Sequence, residues 1–93
     1  MLELKHLRYL IAVSEETTFV GAAERLHLAQ PALSRQIHKF EKAIGTPVFE
    51  RGRTGVRLTP AGEICLQAAR SIIERVERAA ETARMADSGR GGT

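Results

Sequence analysis

Ninety-three residues with 43% hydrophobic content suffice for one small domain, and with 4% aromatics and no Trp its core must be packed by Leu, Ile, Val and Ala. No apolar run approaches a membrane span and no charged-then-apolar leader opens the chain, which argues against a membrane protein. The single cysteine, Cys65, has no partner for an internal disulfide, and this fits a reducing cytoplasm.

The net charge of +3 is small, but its distribution carries information. Residues 1–29 hold three Lys/Arg against four Glu, and residues 63–93 hold five of each sign. Between them, Arg35, Lys39, Lys42, Arg51, Arg53 and Arg57 stand against only Glu41 and Glu50. A positive field confined to one stretch suits a phosphate-binding face, although a solvated basic face would show the same count.

The first helix spans residues 4–16. Leu4, Leu7 and Ile11 form one apolar row, which Leu10 and Val13 widen. Glu15 and Glu16 fall at its C-terminal end, where the helix dipole disfavours negative charge, so fraying is expected there. Tyr9 reads as a partly buried packing residue.

Residues 19–38, FVGAAERLHLAQPALSRQIH, read as two helices with a sharp turn. Thr17 or Thr18 supplies a hydroxyl cap for the first of them. Phe19, Ala22, Ala23 and Leu26 recur at i, i+3, i+4 and i+7. The following helix starts near Gln30-Pro31, and Leu33, Ile37, Phe40 and Ile44 recur along it; Gly45 and Pro47 stop it. Leu28 plugs the turn, and His27 occupies the turn position at which Gly is often found. A steep crossing needs a residue no larger than Ala, and Ala23 is placed for it. The polar side of the later helix carries Gln30, Ser34, Arg35, His38 and Lys42, groups that suit a DNA major groove. Spacing alone fits an ordinary helical hairpin equally well.

Residues 48–51 and 56–59 are short strand-like runs around a Gly-Arg-Thr-Gly turn. Phe49, Val56 and Leu58 point inward by alternation, leaving Arg51, Arg53 and Arg57 on a basic wing. Thr59-Pro60 then opens a helix expected to reach about residue 86. Along it Cys65, Ala69, Ile72, Val76, Ala79, Ala83 and Ala86 step by alternating fours and threes, a heptad seam that calls for a partner helix. Folding back on its own domain suits Ile64 and Leu66 but not the Ala-rich far end. The Gly-rich stretch 87–93 is expected to be disordered.

The order of these parts, with LRYLIAV at 7–13, AAERLHLAQPALSRQI at 22–37, FE at 40–41, VFER at 48–51 and LTPAG at 58–62, resembles the DNA-binding domain of LysR-type transcriptional regulators. The likeness runs from residue 1 to about residue 87. It implies a mainly α fold: a winged helix-turn-helix over 1–59, with three helices and a two-stranded wing at 48–59, then a linker and dimerisation helix over 60–86. By the same resemblance Gln30, Pro31, Ala32, Ser34 and Arg35 face DNA, Thr18 and His38 are further phosphate candidates, and Arg51 and Arg53 are the wing contacts. The side-chain chemistry agrees, since Gln pairs with adenine, Arg with guanine, and small apolar groups with the thymine methyl. Homodimerisation through the linker helix implies an inverted-repeat operator with half-sites about one helical turn apart, or a multiple of it. In this family a larger effector-binding domain follows, so a small-molecule inducer site is not expected in this chain. Ala29 stands where many members have Ser or Thr, and its lack of a capping hydroxyl forgoes about 1 kcal/mol.

The expected function is thus double-stranded DNA binding in bacterial transcription regulation, without a cofactor. The alternative is a protein-interaction module that docks through its heptad helix. An enzyme is a distant third: P-loop, HExxH, CxxC and GxGxxG are all absent, and His6, His27, His38 and Cys65 lack metal-ligand spacing.

Overall fold

Six elements follow one another: α1 (Leu4–Glu16), α2 (Phe19–Leu26), α3 (Gln30–Ile44), β1 (Phe49–Gly52), β2 (Gly55–Leu58) and α4 (Pro60–Gly91). They are taken from a computed structural model, which describes the backbone of residues 2–91 and the side chains of residues 2–87. The architecture is the expected one, three helices and a two-stranded antiparallel wing followed by a long helix.

Helix α1 lies at the centre and packs against all three other helices. Its inner line is His6, Leu10 and Val13, at i, i+4 and i+7, rather than Leu4, Leu7 and Ile11. Leu10 and Val13 have no exposed surface, whereas Leu4 is exposed and Leu7 and Ile11 are half-buried. A polar residue on the buried line hid it from an apolar count. His6 is tolerated there because both ring nitrogens are bonded. Glu3 N–H donates to Nδ1 at 3.1 Å, so Nε2 carries the hydrogen and donates to Gln36 Oε1 at 2.9 Å.

The C-terminal end of α1 is held, contrary to the fraying expected of Glu15 and Glu16. Arg25 of α2 bonds both carboxylates, Glu15 at 2.8 Å and Glu16 at 3.3 Å, and Arg70 of α4 reaches Glu15 at 3.0 Å. Cations from two other helices outweigh the dipole term, which falls off within one turn. Thr17 closes α1 with φ 63°, and its carbonyl accepts the Val56 N–H at 2.9 Å, docking the wing on this corner.

Thr18, rather than Thr17, caps α2 and accepts the Gly21 N–H at 3.0 Å. Phe19, Ala22 and Ala23 are buried, and His27 takes the left-handed turn position at φ 57°. Helix α3 buries Leu33, Ile37 and Phe40, then ends on Gly45 at φ 84°. Ala29 caps α3 without a side-chain bond, as its methyl group dictates.

Both strands sit one residue nearer the turn than expected, with Phe49 opposite Leu58 and Gly52 opposite Gly55. The cause is at their outer ends. Val48 gives its N–H to Glu41 Oε2 at 2.8 Å, and Thr59 becomes the cap of α4, accepting the Gly62 N–H at 2.9 Å. A Cβ at position 62 would collide with the Val48 carbonyl oxygen, so the Gly of LTPAG lets α4 start directly against the wing.

Helix α4 has 32 residues, about 48 Å at 1.5 Å per residue, and it sets the 59 Å longest dimension of the chain. Its proximal inner face buries Ala69 and Ile73 and half-buries Cys65 and Leu66, while Ile64 is 73% exposed. Ala69 therefore belongs to the domain's own core, and Cys65 packs at its edge, where burial pushes the thiol up. Glu77 meets Arg8 near the start of α1, and beyond that point α4 runs past its own domain, so the later part of the row has nothing there to pack against among the described residues. Ile72 and Val76 are each 42% exposed, and Ala79 and Ala83 are exposed. The helical backbone also continues through 87–91, where disorder was expected, because neither Pro nor a left-handed Gly interrupts it; residues 92 and 93 lie outside the described residues.

The ion pairs around Glu15 make a pH prediction. Its bond to Arg25, assisted by Arg70, holds the carboxyl below the usual range, so it adds stability above the unfolded value near 4.3 and loses it as pH falls through the lowered value. Thermal midpoints of wild type and Glu15→Gln, measured from pH 7 to pH 2, should differ above about pH 4 and converge at the acid end. Because the side chain is 40% exposed, the gap should be small and should narrow in high salt. A gap that widened with acid would contradict the network.

Candidate nucleic-acid interface

Helix α3 is two-sided because of its residue spacing. With Leu33, Ile37 and Phe40 turned into the core, the opposite side must carry Gln30, Pro31, Arg35, His38, Lys39 and Lys42, all exposed, with Ala32 and Ser34 half-buried at its edge. The first turn of α3 has no side-chain cap, which leaves backbone N–H groups and the positive helix end open on the same side. Thr18 is exposed nearby in the chain, but its Oγ1 is engaged as the cap of α2.

The wing brings further cations. Arg53 sits in the two-residue turn between β1 and β2, exposed. Arg57 lies 3.9 Å from Glu50 across the strands. Arg51, also exposed, leans back: its Nη2 donates to Ser34 Oγ at 2.8 Å and its guanidinium lies 4.3 Å from the Phe19 ring centroid. A cleft of about 600 Å³ separates α3 from the wing, lined by Ser34, Arg35, His38, Phe49 and Arg51 among others.

Charge pairing divides the surface. Arg8, Arg25, Arg70, Arg78 and Arg84 each have a carboxylate 2.8–3.8 Å away. Among the described residues, Arg35, Lys39, Lys42, Arg51 and Arg53 have no such partner, and neither does Arg75 on α4. All of these but Arg75 gather on α3 and the wing. Among the described residues no cluster of three His, Cys, Asp or Glu could hold a metal ion, and no helix is long and apolar enough to cross a membrane.

The region 4–63 matches the family model described as bacterial regulatory helix-turn-helix protein, lysR family. The chain belongs to the LysR family. The Hca operon transcriptional activator HcaR of Escherichia coli is 47% identical over 83 residues, covering 89% of this chain and 28% of HcaR. The chain thus spans under a third of that relative's length. Among solved structures, the CbnR DNA-binding domain in complex with DNA superposes with a TM-score of 0.87 at 39% identity, covering 91% of this chain and 98% of that one. The BenM DNA-binding domain on benA site 1 DNA gives 0.87 at 40% identity, covering 90% and 98%.

Within this LysR-family fold, two supports of the interface escaped sequence reading. Gln36 is held by the buried His6, which ties α3 to the start of α1. Glu41 accepts the N–H groups of Val48 at 2.8 Å and Phe49 at 3.4 Å, which fixes the wing to the end of α3. The His6, Leu10, Val13 spacing could have exposed the first; Glu41 stood out only within the FE pair of the family likeness, and nothing local gives it this role, because its partners lie beyond a turn. Val48 has no exposed surface, so Glu41→Ala strands a buried N–H and should lower stability by about 1–3 kcal/mol in urea unfolding. Glu41→Gln keeps an acceptor and should lose less. An unchanged midpoint for Glu41→Ala would contradict this anchoring.

Proposed function

We propose that this LysR-family chain is a sequence-specific double-stranded DNA-binding module of a cytoplasmic transcriptional regulator, acting as a homodimer on an inverted repeat and not as an enzyme. The observation that carries the reading is the convergence of unpaired cations and free hydrogen-bonding groups on the outer side of α3 and the wing tip. Solved DNA complexes of similar domains support it.

In this reading α3 enters the major groove. Arg35 donates twice to guanine, Gln30 meets adenine, and Pro31 and Ala32 contact a thymine methyl. His38 and the open N–H groups of α3 serve phosphates. Arg53 reaches the backbone or the adjacent minor groove from the wing. A second copy pairs along α4 through the outward line of Ile72, Val76, Ala79 and Ala83, where small residues allow close backbone approach. Two-fold symmetry in the protein then asks for two-fold symmetry in the site.

The test is a titration with the tightest duplex recovered from a random-sequence pool. Arg35→Ala should weaken it by about tenfold to a hundredfold and flatten the preference at one base pair per half-site. Arg53→Ala should weaken all duplexes alike and lower the slope of log affinity against log salt by about 1. If neither substitution changed binding to any duplex, the assigned face would be wrong.

A further inference from the structure

Arg51 is not a free cation of the wing. Its guanidinium rests on the ring of Phe19 at 4.3 Å and donates to Ser34 Oγ at 2.8 Å. The platform beneath it is rigid: Phe19 is 7% exposed and meets Phe49 edge-on, with ring centroids 6.3 Å apart. The guanidinium therefore joins β1, α2 and α3 at one point, with its carbon over the ring and one N–H aimed at a hydroxyl.

The consequence falls on Ser34. A serine hydroxyl has one hydrogen to donate and two lone pairs to accept with. With Arg51 on a lone pair, the O–H has to turn towards some other acceptor. Ser14 shows the usual choice on a helix, donating to the Ile11 carbonyl at 2.8 Å; among the described residues no acceptor takes the Ser34 hydrogen. Ser34 lies at the edge of the polar side of α3, with Arg35 and His38 lining the same cleft. A cation on its oxygen polarises the O–H and makes an anionic acceptor the best match.

We propose that Arg51 is a positioning residue: stacked on Phe19, it fixes the Ser34 hydroxyl as a donor to one DNA backbone phosphate in each half-site. The inference rests on the DNA-binding reading above and specifies a contact within it. It differs from an independent Arg51–phosphate contact in what Lys can replace. Lys keeps the charge but has no planar fork to lie on the ring and grip the hydroxyl.

The experiment combines Ser34→Ala, Arg51→Lys and the double variant with duplexes from the random-pool selection, each carrying one neutral methylphosphonate linkage. Arg51 is exposed and Ser34 half-buried, so all three proteins should fold. Each single substitution should weaken binding by about tenfold, the loss expected for one hydrogen bond to a charged group, and the double variant should be no weaker than the singles. Wild type should show one linkage per half-site whose neutralisation costs about tenfold, and all three variants should be indifferent to that linkage. Wild-type affinity in Arg51→Lys, additive losses in the double variant, or a sensitive linkage surviving in Ser34→Ala would each overturn the proposal. If Ser34→Ala instead altered base preference and left every linkage unchanged, the hydroxyl would be reading a base edge and the phosphate contact would be wrong. Failure of the wild type to bind any duplex would remove the DNA-binding reading itself, and this contact with it.

Discussion

Leu33, Ile37 and Phe40 leave water along one edge of α3, and the exposed polar side of that helix depends on that burial. A 15-residue helix is marginal on its own in water. Burying three large apolar side chains contributes about 1.5–3 kcal/mol each, which is far more than helix propensity or an uncapped Ala29 can shift. The polar side of α3 is therefore released from any part in folding. It can present amide, hydroxyl and guanidinium groups to a partner without weakening the domain.

The remaining elements fix where that side points. Ala22 and Ala23 let α2 approach closely, and His27 makes the turn in a left-handed conformation that few non-glycine residues accept. His6 clamps Gln36 from α1, and Glu41 clamps the wing to the end of α3. Thr17 docks the other strand through its carbonyl. Arg70 and Arg25 meet on Glu15, so the long helix is tied to the corner from which α2 departs. Any partner gripping α4 thus acts on a body in which α3 is fixed at several separate points.

Most of this fold was legible because its signals are local. The apolar spacing of α2 and α3, the stop at Gly45, and Thr59-Pro60 at the head of α4 each depend on residues within a turn or two of one another. The outer side of α3 was legible for the same reason. What escaped depends on partners far along the chain. His6 looked polar and was buried, because Gln36 satisfies it; Glu15 looked misplaced and was stabilised, because Arg25 and Arg70 surround it. Cys65 and Ala69 continued a seam on paper but turned inward, because that stretch of α4 lies along α1, which is distant in the chain. Arg51 was counted with the wing cations, and only the structure reveals the Phe19 ring beneath it.

In the proposed complex the outer side of α3, with the wing tip, is where this domain meets DNA. The most direct measurement is backbone amide chemical-shift mapping of the labelled chain, titrated with its selected duplex. The largest changes are expected at Gln30, Ala32, Ser34, Arg35 and His38 and at Arg51 and Arg53, with the buried edge of α3 little affected. Changes confined to α4, with residues 30–38 and 51–53 unmoved, would contradict it.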